Sequence, residues 1–284
     1  MIPPAGTRGD VDLSVPWRYN CTVSETSYSV PGLERGLEAL EVLANSSTPL
    51  SLSELAEKVG KRTGEVYRTL TSLQKSGFVV REPEHKLYSL SLKMYELSHR
   101  HSPVERLLRV MRPYMQTIVE ETRESCHLST LTENGMVIVL AQHSSPNRVY
   151  LVHKTGSVHP PLKSATGRLL LANLSPERRA VVLKDDADYA AMRATDRNRL
   201  NDKLDQLCPD GYSYAEDETY LGGRDLAVYV GSQSEAFPAA LTVSWILAVR
   251  EPQDTDHIRR TVMAAVDRMR SSTGLQGSVI RHPN

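Results

Sequence analysis

Net charge is the first thing this sequence lacks: 34 Lys and Arg balance 34 Asp and Glu over 284 residues. A chain with no cationic excess does not coat nucleic acid or membrane wholesale, so any DNA contact has to be focal. Cysteine is nearly missing too. Cys21, Cys126 and Cys208 are isolated and odd in number, which excludes a disulfide framework or a Cys-x-x-Cys metal pair and fits a reducing cytoplasm. No apolar run approaches the ~20 residues a membrane helix needs. The first residues lack a charged head and an apolar core, so no signal peptide is expected. No Walker or dinucleotide glycine loop is present, and no cofactor is expected. Gly211-Tyr212-Ser213-Tyr214-Ala215 comes near the hydrolase nucleophile elbow, but its last glycine is missing and acids, not a helix, follow. Cys126 and His127 adjoin, yet strand neighbours face opposite ways and do not easily share a metal. His143, His153 and His159 lie near strand ends without ligand spacing and read as ordinary histidines. Neither catalysis nor a metal site is expected.

What is present is concentrated between Leu52 and Leu90. Ser53 is placed to cap a short helix with Leu55, Ala56 and Val59 inward, and Gly60-Lys61-Arg62 makes a tight turn. Over Thr63–Ser76, Val66, Leu70 and Leu73 fall at i, i+4, i+7 and give a second helix one apolar stripe. Its other face carries Glu65, Arg68, Thr69, Ser72 and Lys75, with Arg62 and Thr63 at its start. Gly77 can end the helix in the left-handed conformation that only glycine adopts cheaply. Residues 78–81 and 86–90 then read as two strands around the turn Pro83-Glu84-His85. Two helices, a glycine turn and a hairpin in this order describe a winged helix-turn-helix. Between Lys58 and Lys86 seven Lys and Arg face three acids, a local excess that suits DNA phosphates.

Around this unit the chain divides into four parts. Residues 1–29 are rich in Pro, Gly, Ser, Thr and Asp without periodicity and read as a mostly disordered arm. Residues 30–91 are the winged helix, opened by a helix over 30–44 with Leu33, Leu37, Leu40 and Ala44 on one face. Some of that helix's surface is available for a dimer contact. Residues 92–122 form a helical linker with Val104, Leu107, Leu108, Met111, Met115, Ile118 and Val119 on its apolar side, and Pro113 is expected to kink or joint it. Residues 123–284 alternate strands and helices. Strands are expected at 126–132 and 136–142 around Glu133-Asn134-Gly135, then at 149–153, 212–215, 225–230 and 240–247. Helices are expected at 164–174, from Ser175-Pro176-Glu177, at 196–207 and at 255–270. The fold class is α+β, with a mostly antiparallel sheet in the second domain.

The segments Leu33-Glu34-Arg35-Gly36-Leu37, Leu52-Ser53-Glu54-Leu55-Ala56 and Val66-Tyr67-Arg68-Thr69-Leu70 carry a resemblance, continued by Gly77-Phe78-Val79, Tyr88-Ser89-Leu90, Pro160–Arg168 and Gly211-Tyr212-Ser213. In order, over residues 30–272, they resemble the IclR (isocitrate lyase regulator) family of bacterial transcription factors. The resemblance implies a winged-helix dimerising domain, a linker helix and a GAF-like effector domain, assembled as a homodimer or homotetramer. The expected function is a cytoplasmic, ligand-responsive repressor or other regulator that binds a pseudo-palindromic double-stranded operator and senses a small organic metabolite. DNA-contacting residues are expected to be Arg62, Thr63, Glu65, Arg68, Thr69, Ser72 and Lys86, although Arg68 could instead brace the first helix through Glu34 or Glu38. By family position the ligand set is Ser164, Ala165, Thr166, Ala215, Asp225 and Leu226. The backbone amides of Ala165 and Thr166 open an apolar helix and suit an anionic group. Ala215 stands where the family has an acid, Asp225 where it often has cysteine, and Tyr229 where proline is common. Asp225 therefore either faces those amides across the pocket or points to solvent from a sheet edge.

Overall fold

Helix α1 (Pro31–Ala44) opens the described chain. The computed structural model describes residues 30–100, 103–218, 220–230, 238–247 and 254–273, so the arm expected over residues 1–29 lies outside the described residues. The chain forms two compact units: one runs up to Glu124 and takes in the helix Thr255–Thr273, and the other is Ser125–Asp254.

In the first unit, α1 packs against α2 (Leu52–Val59) and α3 (Thr63–Lys75). Leu55, Val66 and Leu70 are buried with Ala39, Leu43, Val79 and Tyr88 in one cluster. Each fully buried leucine contributes about 1.5–3 kcal/mol over an exposed one. The cap of α2 is Ser51 rather than Ser53: its hydroxyl accepts from the Glu54 amide while the Glu54 carboxylate accepts from the Ser51 amide, a reciprocal capping box. The apolar face of α1 also differs from the one expected. Gly36, Ala39 and Leu43 are buried, whereas Leu33 and Leu37 are 61% and 53% exposed. The small residues Gly36 and Ala39 let α3 approach closely, and the larger leucines are left outside. Gly77 ends the α3 segment at φ 80, as expected. The wing is β1 (Val79–Arg81) paired antiparallel with β2 (Tyr88–Leu90), and Leu50 adds an antiparallel bridge to Tyr88. Next come α4 (Lys93–Arg100) and α5 (Pro103–Thr122), which runs on through Pro113. The far helix Thr255–Thr273 packs on α5, burying Leu108, Met111, Met115 and Ile118 along one helix and Ile258, Val262, Val266 and Met269 along the other.

The second unit is built on a six-stranded, wholly antiparallel sheet of order β5-β4-β3-β8-β7-β6. Its strands are β3 (Ser125–Leu131), β4 (Val137–His143), β5 (Val158–His159), β6 (Tyr212–Glu216), β7 (Gly223–Tyr229) and β8 (Ala239–Ile246). Residues 149–153, expected as a strand, form no ladder. Val149 and Val152 are exposed, and the edge strand is the short β5 instead. Helices α6 (Ala165–Ala172), α7 (Pro176–Lys184), α8 (Ala187–Ala191) and α9 (Ala194–Asp210) intervene before β6. Helix α9 runs through Pro209 to its glycine cap, beyond the end expected near 207. A 3₁₀ turn, Pro161–Lys163, leads into α6. A Cβ on Gly167 would lie 2.0 Å from the Pro161 carbonyl oxygen, so only glycine lets this turn fold back onto the helix start. The first helical turn of α6 is thereby fixed over the middle of the sheet.

Candidate functional site

Candidate functional side chains gather on two surfaces, one in each unit. On α3 the exposed side chains are Arg62, Thr63, Tyr67, Arg68, Ser72, Gln74 and Lys75, and Lys86 is exposed at the wing in a left-handed conformation. Arg81 lies over the Tyr88 ring, 5.4 Å from its centroid, at the base of the wing. Two of the expected DNA contacts turn elsewhere. Glu65 is ion-paired with Arg35 of α1 at 3.1 Å, and Thr69, half-buried, donates to the Glu65 carbonyl. The Thr69 methyl is 3.7 Å from the position a Cβ on Gly36 would take, so this side of α3 meets α1. Arg68 Nε donates to Gly64 on its own helix, and the brace to α1 is Arg35–Glu65 instead. The pattern at i, i+4 that aligned Glu65 with Thr69 was visible in the sequence; which side packs against α1 was not. Tyr67, 48% exposed beside Arg68, is an addition from the structure.

The second surface is the face of the large sheet that carries α6. Register places Ser125, His127 and Ser129 of β3 beside Ser244, Thr242 and Ala240 of β8, and these beside Asp225, Ala227 and Tyr229 of β7. Thr166, in the first turn of α6, is hydrogen-bonded to Thr242 at 2.8 Å, so the helix start lies over this face. Ser164 caps α6 by accepting from the Gly167 amide at 3.0 Å. The amides of Ala165 and Thr166 are left as helix-start donors without an acceptor one turn back. Asp225 accepts from the Ser244 hydroxyl at 2.5 Å, and that hydroxyl is 3.4 Å from His153 Nε2. Strand β7 has β6 and β8 on either side, so Asp225 does not point to solvent from a sheet edge. Ala215 sits directly beside it on β6. Leu226 faces the opposite side with Tyr214 and Val243, because neighbours on a strand alternate. It does not line the same face as Asp225, a correction to the expected ligand set.

Three histidines join this face. The His127 and His153 rings lie tilted against each other with centroids 4.1 Å apart, and His159 Nε2 is 3.4 Å from Ser164 Oγ. His153 and His159, read from the sequence as ordinary histidines, are thus grouped on this face with His127. Burial pushes His127 well below the usual range, with His153 and His159 adding to the effect. Burial also lowers His153, against the pull of Asp225, and brings His159 down to about 4. Desolvation raises Asp225, with Ser244 and His153 acting against it. Both partners are driven toward their neutral forms. The nearby cation, Arg168, is engaged by both Glu218 oxygens at 2.8 and 2.7 Å. Among the described residues no group of three His, Cys, Asp or Glu is placed to hold a metal ion. No helix there is long and apolar enough to cross a membrane.

Residues 103–270 match the model of the bacterial transcriptional regulator IclR C-terminal domain, and residues 32–83 match the IclR helix-turn-helix domain. The chain belongs to the IclR family. It is 27% identical to the transcriptional repressor IclR of Escherichia coli over 76% of this chain and 80% of that one. It is 29% identical to the E. coli regulator KdgR over 69% and 75% of the two chains. A crystal structure of an IclR homologue from Microbacterium hydrocarbonoxydans, in complex with 4-hydroxybenzoate, shares the fold. Its TM-score is 0.67 at 23% identity, covering 84% of this chain and 99% of that one. IclR-family chains are transcriptional regulators rather than enzymes, and this one couples a helix-turn-helix DNA-binding domain to a C-terminal ligand-binding domain.

The polar residues on the α6 face that sequence reading did not select as candidates are His127, Ser129, His153, His159, Thr242 and Ser244. A signal for four of them was present. β3 and β8 alternate Ser125, His127, Ser129 and Thr242, Ser244 with apolar neighbours, yet both strands are central and buried on both sides. Polar alternation on a buried strand marks a face that meets polar groups rather than water.

Proposed function

We propose that this chain is a ligand-responsive regulator that binds a pseudo-palindromic operator as a dimer and senses a small organic acid on the α6 face of its large sheet. The observation that carries the reading is the exposed row Arg62, Thr63, Arg68, Ser72 and Lys75 on α3 with Lys86 on the wing. Helix side chains of this kind reach base edges while the wing lysine meets phosphate. Glu65 and Thr69 hold α3 against α1 and orient the reading face.

One winged helix reads only a few base pairs, so tight and selective binding calls for two copies on a two-fold site. Support for a dimer comes from apolar side chains left outside in the same unit: Val30, Leu33 and Leu37 on and just before α1, and Leu92, Met94, Tyr95 and Leu97 on and just before α4. An open groove of about 640 Å³ beside α4, lined by Gly77, Ser91, Leu92, Tyr95 and His99, adds concave surface to them. Sedimentation at micromolar concentration is expected to give a dimer or a tetramer. A monomer that binds a half-site one-to-one contradicts the reading. As a regulator of DNA it acts in the cytoplasm.

For the ligand, the free amides of Ala165 and Thr166 at the positive end of α6 favour an anionic group. Asp225 and Ser244 form a second polar pole that takes a hydroxyl. The Microbacterium homologue holds 4-hydroxybenzoate, an acid with a hydroxyl at its far end, which supports a ligand with two unlike poles. A thermal-shift screen of small acids should raise the melting temperature for the right class, because a ligand bound only by the folded state stabilises it. Asp225→Asn is then expected to weaken the hit about tenfold or more by calorimetry. An unchanged affinity removes Asp225 from the site.

A further inference from the structure

Resting on that reading of the α6 face, we propose that His127 and Ser129 form a third pole of the effector site. They select an acid carrying two hydroxyl groups over one carrying a single hydroxyl or none. Among the described residues four buried side-chain nitrogen or oxygen atoms lack a hydrogen-bond partner, and two of them, His127 Nδ1 and Ser129 Oγ, belong to β3. Both residues are almost wholly inaccessible, at 2% and 0% exposure. They lie two apart on one strand, so both face the α6 side, while Cys126, Leu128 and Thr130 face the other way.

A buried polar atom without a partner is costly, and two of them on one face of one strand call for an explanation. The neighbouring polar groups are already satisfied within the chain. Thr166 is bonded to Thr242, Ser244 to Asp225, and Ser125 accepts from the Ser145 amide. The two atoms left over therefore mark where the chain's own hydrogen bonding stops. His127 is in register with Thr242, next to the start of α6, and its ring lies tilted against that of His153, which reaches Ser244. Strand spacing and rise put His127 roughly 8 Å from Ser244 and roughly 12 Å from Asp225 between backbones, so the second hydroxyl has to stand several carbons from the first.

The chemistry of the third pole points to a hydroxyl. His127 is held neutral by burial, so one ring nitrogen donates and the other accepts, and the Ser129 hydroxyl can do either. A ligand hydroxyl both donates and accepts, and so completes either arrangement. An ammonium only donates and brings a charge; the Asp225 carboxyl on this face is itself pushed toward its neutral form, and Arg168 is engaged by Glu218. A bare hydrocarbon or aromatic edge would leave both atoms unpaired. The structure thus assigns carboxylate to the Ala165 and Thr166 amides, one hydroxyl to Asp225 and Ser244, and a second hydroxyl to His127 and Ser129.

The test uses the full chain and a matched series: hexanoate, 3-hydroxyhexanoate and 3,6-dihydroxyhexanoate, whose two hydroxyls stand three carbons apart, with 4-hydroxybenzoate as the aromatic comparison, all by calorimetry. In the wild type the dihydroxy acid is expected to bind about tenfold more tightly than the monohydroxy acid, the worth of one well-placed hydrogen-bonding group. Ser129→Ala and His127→Leu should each remove that increment and leave 3-hydroxyhexanoate affinity unchanged. Without ligand, Ser129→Ala should melt at or above the wild-type temperature, since it deletes an unpaired buried group. A structural hydroxyl would lower the melting temperature instead and overturn the assignment. Dihydroxy and monohydroxy acids of equal affinity, an increment that survives Ser129→Ala, or no binding of the dihydroxy acid at millimolar concentration also overturn it. Tighter binding of 4-hydroxybenzoate with full dependence on Asp225 overturns the third pole while sparing the two-pole site. Loss of Asp225 dependence for every acid sinks the two-pole reading itself.

Discussion

The two units keep their polar side chains in opposite places. In the winged helix the charge is outside, on Arg62, Arg68, Lys75 and Lys86, over a core of aliphatic residues and one tyrosine. In the sheet unit Ser125, His127, Ser129, Thr166, Thr242 and Ser244 are buried, and no residue of 30–91 joins them among the buried polar groups. A surface that reads DNA works by presenting long, solvated cations to phosphates, so its helix needs only an apolar stripe on the far side. A site that reads a small molecule has to exclude water, so its polar groups sit where an ordinary core would be apolar.

The largest effects expected from this contrast are in the aliphatic core. Leu70→Ala should destabilise the winged helix by about 2–5 kcal/mol, because Leu70 is fully buried and the space cannot fully collapse. Thermal melts would register it, and a loss below about 1 kcal/mol would mean that the core is not packed as described. Next in size is the reading surface. Arg62→Ala and Lys86→Ala should each weaken operator binding on the order of tenfold at physiological salt, measured by fluorescence anisotropy.

Legibility follows the same division. The winged helix could be read from Val66, Leu70 and Leu73 because a helix stripe is local information. What failed there depended on a partner: Leu33 and Leu37 looked inward until Gly36 and Ala39 proved to be the contact with α3. The sheet unit's strands were visible from turn signals, whereas Ser164, Ala165, Thr166, Ala215 and Asp225 came from family position alone and the histidines beside them were not selected. His127, His153 and His159 are far apart in sequence from Asp225 and Ser244, and only the order β4-β3-β8-β7 brings them together. Residues 149–153 illustrate the limit of alternation, since an apolar pattern does not supply a ladder partner.

A smaller effect separates the units by pH. His127, His153 and His159 have their values lowered on folding from about 6.5, so their contribution to stability is fully present above that pH. It is lost as pH falls toward the folded values, about 4 for His159. Asp225, raised on folding, acts in the other direction: its contribution is present below about 3.8 and is lost as pH rises through its folded value. Melts followed by Trp245 fluorescence in a Trp17→Phe background should fall from pH 7 to pH 5, and His159→Gln should flatten the decline. An unaltered slope in that variant would remove His159 from the buried cluster. The smallest effect belongs to the brace: Glu65→Gln should cost up to about 1 kcal/mol, as for a partly exposed ion pair, and lower operator affinity without changing its salt dependence.

That last distinction gives the most direct test of the division between a solvated DNA face and a buried ligand face. Operator affinity is measured against salt concentration for the wild type, for Arg62→Ala/Lys86→Ala and for Ser129→Ala/Asp225→Asn, all without ligand. The slope of log affinity against log salt is expected to shrink by about 0.9 for each DNA phosphate that the first variant no longer neutralises. It should stay at the wild-type value in the second. A slope unchanged by removal of Arg62 and Lys86, or one altered by the two sheet substitutions, would contradict the assignment of DNA contact to α3 and the wing.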